Sequence, residues 1–410
     1  MLLERDMRYL ICHGPKPEFE LDGDVNDKFY LPTRPVSSMR THDVVILPRH
    51  AAIEEFTDFL MMLGVIMPKQ ILWTSGKNYL LDDDIDQELE HEIAKLVASG
   101  KWVIAPYSVT KPFKHWSTKL NLSIIGDHED QWVRHYTTKK FLHPAVSDKM
   151  PKQPLVSQIP GVRIARGYSC TDLEDLRTAF YQLQADEIGE CIVKPVDGST
   201  GEGIFTVSSV RDFQDYTFPM GDVVIEEKLR IDLDKCGRQI APSIQFMGRK
   251  ISHQVTDQVI DGVAFAGNIS PSATSRQFQD EVHFMTREIV AAIKPKGPGG
   301  LDFLSVDGRP VLVDPNIGRI TAAHPAINFR NLYAPDACFE TRKVSGTPKV
   351  TAREFWHECQ NRNIAFKPGN GTISGVFPLC FIKDMWGMTI AIGNSREEVE
   401  RLSKEAEECL

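Results

Sequence analysis

Hydrophobic residues in the first third of the chain fall into short runs that alternate with segments of helical spacing. The runs predict strands at Met7–Cys12, Val44–Leu47, Gln70–Trp73 and Trp102–Ala105, and the spaced segments predict helices at Ile53–Leu63 and Asp82–Ser99. Strands that alternate with helices favour a mostly parallel sheet with helices on its faces. No glycine fingerprint follows the first run, so a dinucleotide site is not expected there.

Beyond residue 140 the pattern changes to helices separated by paired strands and glycine-rich turns. A helix over Thr171–Gln184 is predicted to begin at an N-cap threonine, with Glu174 completing a capping box. The other predicted elements are strands at Cys191–Pro195, Val223–Glu227, Ser243–Met247, Lys250–Gln258, Leu301–Val306, Pro310–Val313, 372–382 and 388–392, and helices at Asp280–Lys294 and Ser395–Leu410. The turn Asp307-Gly308 predicts a hairpin whose ladder ends at Asp302 and Asp314.

The composition is that of a globular protein without a marked charge pattern. The 410 residues are 42% hydrophobic and 25% charged, with a net charge of −9 and no basic stripe, which excludes a disordered chain and argues against a nucleic-acid binder. No apolar run approaches the ~18 residues of a membrane span, and the N-terminus lacks the pattern of a secretory signal. The eight cysteines are scattered without metal spacing. We therefore expect reduced thiols, a cytoplasmic location and neither nucleic acid nor membrane as a partner.

The first segment with candidate chemistry is a lysine followed by a glycine-rich loop. Lys194 comes from a predicted strand, and the loop that follows supplies Gly198, Ser199, Thr200, Gly201 and Gly203. Glycines let backbone N–H groups approach phosphate oxygens, and the lysine adds a positive charge. The lysine precedes the glycines, so the segment is not a P-loop. A plain hairpin turn between two strands is the alternative interpretation.

The second segment is a cluster of oxygen-bearing side chains. Asp302 and Asp314 lie on adjacent predicted strands, and Asn316 follows two residues later. Hard oxygen ligands that leave positions for water suit Mg²⁺ on nucleotide phosphates. Solvent-facing acids on a hairpin are the alternative, but Asp314 follows Val-Leu-Val, and a carboxylate that ends a buried strand needs a partner.

The third segment is a buried strand, Val223–Glu227, that ends in paired acids. The backbone after such a strand can pair with an adenine edge, and an acid beyond it can hold ribose hydroxyls. The nucleotide-binding candidates from this region are Glu226, Glu227, Leu229 and Asp234. Taken alone, a solvated strand end would be the simpler interpretation.

The order of these segments resembles that of the ATP-grasp superfamily over residues 140–330. Asp148-Lys149, followed by Ile159-Pro160-Gly161-Val162, is similar to the opening ATP-lysine helix of the family. Lys194-Pro195 is similar to the second ATP lysine, and the stretch from Gly300 to Arg319 is similar to the metal-binding close. The whole layout, with the tail Ile390–Val399, resembles the stand-alone carboxylate–amine ligases of the peptide-ligase branch.

The resemblance implies an α/β fold in which a pre-ATP-grasp α/β domain precedes a two-lobed ATP-grasp α+β module. The implied domains are residues 1–138 (the pre-ATP-grasp domain), 139–229 (the N-lobe with the glycine-rich loop), 230–345 (the C-lobe with the metal site) and 346–410 (an α+β segment that completes the module).

The resemblance also implies ligase chemistry, in which ATP phosphorylates a carboxylate and an amine attacks the acyl phosphate, releasing ADP and phosphate. It assigns two lysines to the ATP phosphates and three oxygen ligands to one or two Mg²⁺ ions, with Mn²⁺ as an alternative ion: Lys149, Lys194, Asp302, Asp314 and Asn316. Lys140 stays an alternative to Lys149 as the first ATP lysine. The glycine-rich loop would close over the phosphates and exclude water.

The chain departs from the family pattern at two places. Asp314 stands where the family often has Glu, and no arginine lies just before Asp302, where the D-alanine ligase branch has one. The cation for the acyl phosphate must therefore come from elsewhere. Arg319 is the first candidate and Arg276 the second, because a guanidinium offers bidentate donors.

The expected substrates are a small carboxylate and an amine, such as amino acids or peptides, and family members are often homodimers. Three alternatives stay open: an ATP-grasp carboxylase, an ATP-grasp kinase, and an ATP-binding scaffold without catalysis.

Overall fold

The computed structural model describes the chain from Arg8 to Leu410, except for residues 13–32, 66–67, 75–86, 108, 110, 127–138, 147–155, 197–202, 215, 220, 263, 370 and 372. Its contacts divide the chain into two units, one made of Met1–Asp127, Gly267–Pro271 and Ile320–Leu410 and the other of His128–Ala266 and Ser272–Arg319. The four domain boundaries given above stay a prediction. Across the described residues, no helix combines the length and the apolar character needed to span a membrane.

The N-terminal part of the first unit is a parallel sheet with helices, which confirms the prediction from the alternating pattern. Its elements are β1 (Arg8–Cys12), β2 (Val44–Pro48), α1 (Ala51–Met62), β3 (Gln70–Thr74), α2 (Gln87–Ala98), β4 (Trp102–Pro106), α3 (Lys111–Leu120) and β5 (Ser123–Ile124). The strands pair in parallel in the order β3-β2-β1-β4-β5. Every residue of β2 is buried, as expected for a parallel strand that is covered on both faces.

The second unit begins with an antiparallel sheet that carries the predicted ATP lysine. Its elements are β6 (Gly167–Cys170), α4 (Leu173–Ala185), β7 (Cys191–Pro195), β8 (Phe205–Val207) and β9 (Val223–Glu227). The strand order is β6-β9-β7-β8. Leu176, Phe180 and Leu183 of α4 pack with Val193 and Ile225 on one face of the sheet. The opposite face is therefore left to Lys194 and Glu226, because side chains alternate along a strand.

The predicted N-cap of α4 was wrong by one residue. Asp172 is the N-cap, and its side chain accepts a hydrogen bond from the backbone N–H of Asp175 at 2.8 Å. The hydroxyl of Thr171 donates instead to the Asp175 carboxylate. Aspartate is as good an N-cap as serine and better than threonine, so the neighbouring residue takes the role.

The second half of this unit is an antiparallel ladder with one long helix. The elements from here to residue 317 are β10 (Pro242–Met247), β11 (Lys250–Asp261), β12 (Ala264–Ser270), α5 (Arg276–Ile293), β13 (Pro298–Val306) and β14 (Arg309–Ile317). The ladder runs in the order β14-β13-β10-β11. Val282, Met285 and Ile289 of α5 are buried against Phe303 and Leu312. This packing again leaves the opposite face of β13 and β14 to polar side chains.

The β13–β14 hairpin confirms one prediction and corrects another. Asp307 and Gly308 both have positive φ angles, 51° and 70°, as a two-residue hairpin turn requires. The ladder, however, extends to the pair Gly299 and Ile317, so Asp302 and Asp314 lie inside it rather than at its end. β14 runs on past its predicted end at Val313 because Pro315 is tolerated in the outermost strand of the ladder.

The remaining elements belong to the first unit and complete it with antiparallel strands. They are α6 (Ala323–Tyr333), β15 (Cys338–Lys343), α7 (Ala352–Asn361), β16 (Gly375–Ile382), β17 (Trp386–Gly393) and α8 (Arg396–Glu407). Elsewhere in the chain, short 3-10 turns lie at Val36–Ser38, Lys139–Phe141, Val156–Gln158 and Val210–Phe213. The end of β12 pairs with β15, which pairs with β17, and β17 pairs with β16. All residues of β16 and β17 are buried.

Candidate active site

The three predicted metal ligands come together on the polar face of β13 and β14. Asp302 and Asp314 are direct cross-strand partners, with a bulge immediately after them. The Asp302 carboxylate accepts a hydrogen bond from Ser243 Oγ at 2.6 Å and another from Asn316 Nδ2 at 2.9 Å. Ser243 is held in turn by Gln245, whose Nε2 donates to its hydroxyl at 2.8 Å. Asp302 is therefore fixed by neutral donors, an arrangement that orients a ligand without neutralising it.

The two carboxylates have opposite proton affinities. Burial, together with the nearby charge of Asp314, raises the pKa of Asp302 to about 7. Burial would also raise the pKa of Asp314, but the charges of Lys139, Arg319 and Lys194 outweigh it and hold that pKa below its ordinary value. Asp314 is therefore ionised at neutral pH, whereas Asp302 is only partly ionised until a cation binds beside it.

This donor set fits a magnesium ion that keeps part of its water. Asp314 Oδ1 is buried, and the Lys139 ammonium lies 3.4 Å from it. Within the described ranges, no group of three or more His, Cys, Asp or Glu side chains is placed to hold a metal. Two carboxylates and one amide would leave the rest of the shell to water and phosphate oxygens, which is the environment that Mg²⁺ prefers.

Lys194 is held by a buried carboxylate on the neighbouring strand. Its Nζ lies 2.5 Å from Glu226 Oε2, and His143 Nε2 lies 2.8 Å from the other oxygen of Glu226. Burial would raise the pKa of Glu226, but the charge of Lys194 and the hydrogen bond from His143 reverse this and lower it to about 2. The cation on Lys194 therefore has a fixed position on the face that the core leaves open.

Another lysine beside the carboxylate pair, Lys139, is buried and was not among the predicted site residues. Lys139 is 7% exposed, and its ammonium forms the ion pair with Asp314 described above. Its neighbour Lys140 is 41% exposed in its side chain and pairs with Asp222. The sequence signal was the pair Lys139-Lys140, but nothing in it indicated which lysine points inward. His143, four residues after Lys139, was missed because its partner Glu226 is distant in sequence.

The two predicted arginines lie in different surroundings. Arg319 is 9% exposed, three residues beyond Asn316, and its charge acts on both Asp302 and Asp314. Arg276 is the first residue of α5, with 87% of its side chain exposed, and pairs with Asp280 at 3.1 Å. The structure therefore brings Arg319, and not Arg276, to the carboxylate pair.

A cavity of about 530 Å³ lies beside the end of β9. Its lining residues are Ser157, Val162, Arg163, Ile164, Glu227, Lys228, Leu229, Arg230, Val306 and Val311. Val306 is on the same face of β13 as Asp302, because the two are four residues apart, roughly 13 Å along a strand at ~3.3 Å per residue. Two of the predicted nucleotide residues, Glu227 and Leu229, thus line this cavity. Through Val306 the cavity reaches the face of β13 that carries Asp302, and its lining there is apolar.

A family model described as an ATP-grasp domain matches residues 177–323, which include Lys194, Glu226, Asp302, Asp314 and Asn316. The chain contains an ATP-grasp domain. Among curated proteins, the butirosin acyl-carrier protein–L-glutamate ligase of Niallia circulans is 27% identical over 172 residues, which cover 39% of this chain and 40% of that protein. The chain spans about half or less of the length of the curated relatives it matches.

Solved structures extend the likeness to nearly the whole chain. The ADP complex of PurK, an N5-carboxyaminoimidazole ribonucleotide synthetase, is similar with a TM-score of 0.60 at 9% identity, covering 98% of this chain and 96% of that one. Biotin carboxylase of Campylobacter jejuni, in a beta-gamma-ATP complex, gives a TM-score of 0.61 at 14% identity, covering 97% and 90%. These likenesses concern the fold, and they confirm the predicted fold class.

Several predicted residues of the ATP-grasp domain lie outside the described residues or apart from the carboxylate pair. Outside the described residues are Lys149, Gly198, Ser199, Thr200 and Gly201. Gly203 is described, with a φ of +72°, and a Cβ there would lie 2.8 Å from the ring of Pro195. Asp234 accepts three hydrogen bonds within its own turn, from the backbone of Cys236 and from the backbone and side chain of Arg238.

Proposed function

We propose that this chain is an ATP-dependent ligase that phosphorylates a carboxylate and joins it to an amine. The observation that carries the proposal is the convergence of Lys194, Arg319 and Lys139 on Asp314, with Arg319 also acting on Asp302. In phosphoryl transfer a protein mainly positions reactants and neutralises charge that spreads over phosphate oxygens. A cluster of fixed cations beside two metal-binding carboxylates suits that task.

In this proposal the polar face of the second unit holds the triphosphate. Asp302, Asp314 and Asn316 would hold Mg²⁺, which supplies charge neutralisation on the phosphate oxygens when bound. Lys194, kept in place by Glu226, would contact the phosphates, as would Lys149. The cavity beside Glu227 and Leu229 would take the adenine, with Asp234 as the candidate for the ribose.

The proposed reaction has two balanced steps. A carboxylate oxygen attacks the terminal phosphorus, the bond to the bridging oxygen breaks, and ADP leaves with an acyl phosphate remaining. The amine then attacks the acyl carbon, phosphate leaves, and the amine loses one proton. Arg319 would stabilise the charge on the acyl phosphate, because it is buried and its charge acts on both carboxylates.

An amino acid is the first class of acid to test. The Niallia circulans relative is named as a ligase of L-glutamate and an acyl-carrier protein, so we include amino acids as acids and both amines and a carrier protein as acceptors. Bicarbonate is included as a competing acid, since an ATP-grasp carboxylase is one of the alternatives that the sequence leaves open.

The test is a screen of amino acids, singly and in pairs, with ATP and Mg²⁺, that measures ADP and phosphate release and identifies the product by mass spectrometry. We expect turnover only when an acid and an amine are both present. AMP as the product, or turnover with bicarbonate alone, would contradict the proposal. A phosphorylated alcohol would favour a kinase.

A homodimer is also proposed, and light scattering measures the mass of the assembly.

A further inference from the structure

Lys139 is a cation that the fold places at the metal-binding edge of the proposed site. It begins the 3-10 turn Lys139–Phe141, and its backbone N–H donates to the carbonyl of Val196. Phe141 and Leu142, immediately after it, are completely buried in the core around α5. The lysine therefore sits at a fixed place in the fold rather than on a mobile surface segment.

The partner of Lys139 is Asp314, which the proposed reaction needs as a metal ligand. The ammonium lies 3.4 Å from Asp314 Oδ1, and 91% of the lysine side chain is shielded, since its exposed fraction is 9%. A buried ammonium needs an anionic partner, because removal from water is unfavourable when no opposite charge replaces it. A divalent ion bound to Asp314 would both occupy this oxygen and repel the ammonium.

The terminal phosphate of a nucleoside triphosphate is the anion that can replace Asp314. A lysine is a flexible point charge on four methylenes, so its ammonium can change partner while its backbone stays anchored. We propose that Lys139 is a phosphate-binding residue of this site, held by Asp314 before nucleotide binds and transferred to the terminal phosphate when a metal ion takes Asp314. The inference rests on the proposed function, since it needs a metal–triphosphate complex on this face.

The test compares Lys139→Met with Lys250→Met, an exposed lysine at the start of β11 in the same unit, by calorimetric titration. Three affinities are measured: Mg²⁺ alone, a non-hydrolysable ATP analogue with Mg²⁺, and ADP with Mg²⁺. In Lys139→Met we expect Mg²⁺ to bind the nucleotide-free protein about threefold tighter or more, because the competing ammonium is gone. The ATP analogue should bind about tenfold more weakly, and ADP less than about threefold more weakly, because a charge-assisted contact to the terminal phosphate is lost.

The opposite directions of the two effects separate this role from a structural one. A lysine that only supports the fold would weaken all three affinities together, and that result overturns the proposal, as does an equal loss for ATP analogue and ADP. Lys250→Met should match the wild type in all three. If Lys139→Met does not fold, Lys139→Gln keeps a hydrogen-bond donor for Asp314 and gives the same readout. Failure of the wild type to bind the ATP analogue with Mg²⁺ would instead contradict the proposed function.

Discussion

Asp302 and Asp314 lie directly opposite each other on β13 and β14, yet neutral donors hold the first and cations surround the second. Ser243 and Asn316 orient Asp302 without supplying positive charge. Lys139, Lys194 and Arg319 keep Asp314 ionised. The pair is therefore asymmetric before any metal binds, and the predictions on Asp302 depend on this asymmetry.

Replacement of Asp302 by asparagine should abolish metal-dependent turnover while leaving the fold intact. The change removes the negative charge but keeps the shape and the contact with Asn316 or Ser243. We expect the rate to fall at least about 100-fold, which is the size of effect that loss of a preorganised charge produces. Steady-state release of ADP across a range of Mg²⁺ concentrations measures it.

The matched control is Asp307→Asn in the turn of the same hairpin. Asp307 has a φ of 51°, and asparagine adopts the left-handed region readily, so the hairpin should keep its geometry. Equal activity of Asp302→Asn and the wild type would remove Asp302 from the metal site. A loss of activity in Asp307→Asn would show that the hairpin, rather than the charge, is responsible.

Binding of Mg²⁺ to the nucleotide-free protein should strengthen as the pH rises toward 7. The pKa of Asp302 is raised to about 7, so the metal must displace a proton below that value. The same shift affects stability without metal. The folded state keeps this proton to about pH 7, while an unfolded aspartate loses it near its ordinary value of 3.8, so the metal-free protein should lose stability as the pH rises between them.

Urea unfolding in EDTA at pH 5 and pH 8 measures this loss. Asp302→Asn carries no proton to release, so its stability should change less between the two values of pH than that of the wild type. A wild type whose stability rises with pH to the same extent as the variant would contradict the raised pKa. Metal titrations of the wild type over the same range check the first part of the prediction.

The sequence predicted the strands well, and also the meeting of Asp302 with Asp314, because both follow from local signals; the role of these carboxylates as metal ligands stays a prediction. The apolar runs at β2, β7 and β9 are bounded by prolines or charges, and Asp307-Gly308 dictates the turn that pairs β13 with β14. Cross-strand pairing then follows from the turn, which is why Asp302 and Asp314 were expected to meet.

The cations of the site were harder to predict because their roles depend on distant partners. Lys139 and Lys140 are indistinguishable in sequence, and only the buried residues after them, Phe141 and Leu142, decide which one faces Asp314. His143 acts through Glu226, 83 residues away. Arg276 was a candidate by residue type alone, and its place at the start of α5 leaves it exposed.

Replacement of Glu226 by glutamine should destabilise the protein at neutral pH. The change leaves the partly buried ammonium of Lys194 without its counter-charge. The pKa of Glu226 falls from 4.5 to about 2 on folding, which bounds the contribution at about 3 kcal/mol in the free energy of unfolding. This stability is present above pH 4.5 and is lost as the pH falls toward 2, so the difference from the wild type should shrink in acid.

Denaturant unfolding of Glu226→Gln and Glu227→Gln at pH 7 and pH 4 tests this prediction. Glu227 is the adjacent residue, is partly exposed and pairs with Arg166, so its loss should cost less than about 1 kcal/mol. Equal effects of the two variants would show that the buried position of Glu226 carries no special stabilisation.

Replacement of Gly203 by alanine should weaken nucleotide binding through the backbone. Gly203 has a φ of +72°, and an added Cβ would lie 2.8 Å from the ring of Pro195, the residue after Lys194. The positive φ and the contact with Pro195 both disfavour alanine at this position. The positive φ alone costs about 1–2 kcal/mol. The matched control is Gly221→Ala, where a Cβ meets no atom within 4 Å. We expect only Gly203→Ala to lower both the melting temperature and the affinity for an ATP analogue, and normal affinity in that variant would show that the end of the glycine-rich loop does not set the position of Lys194.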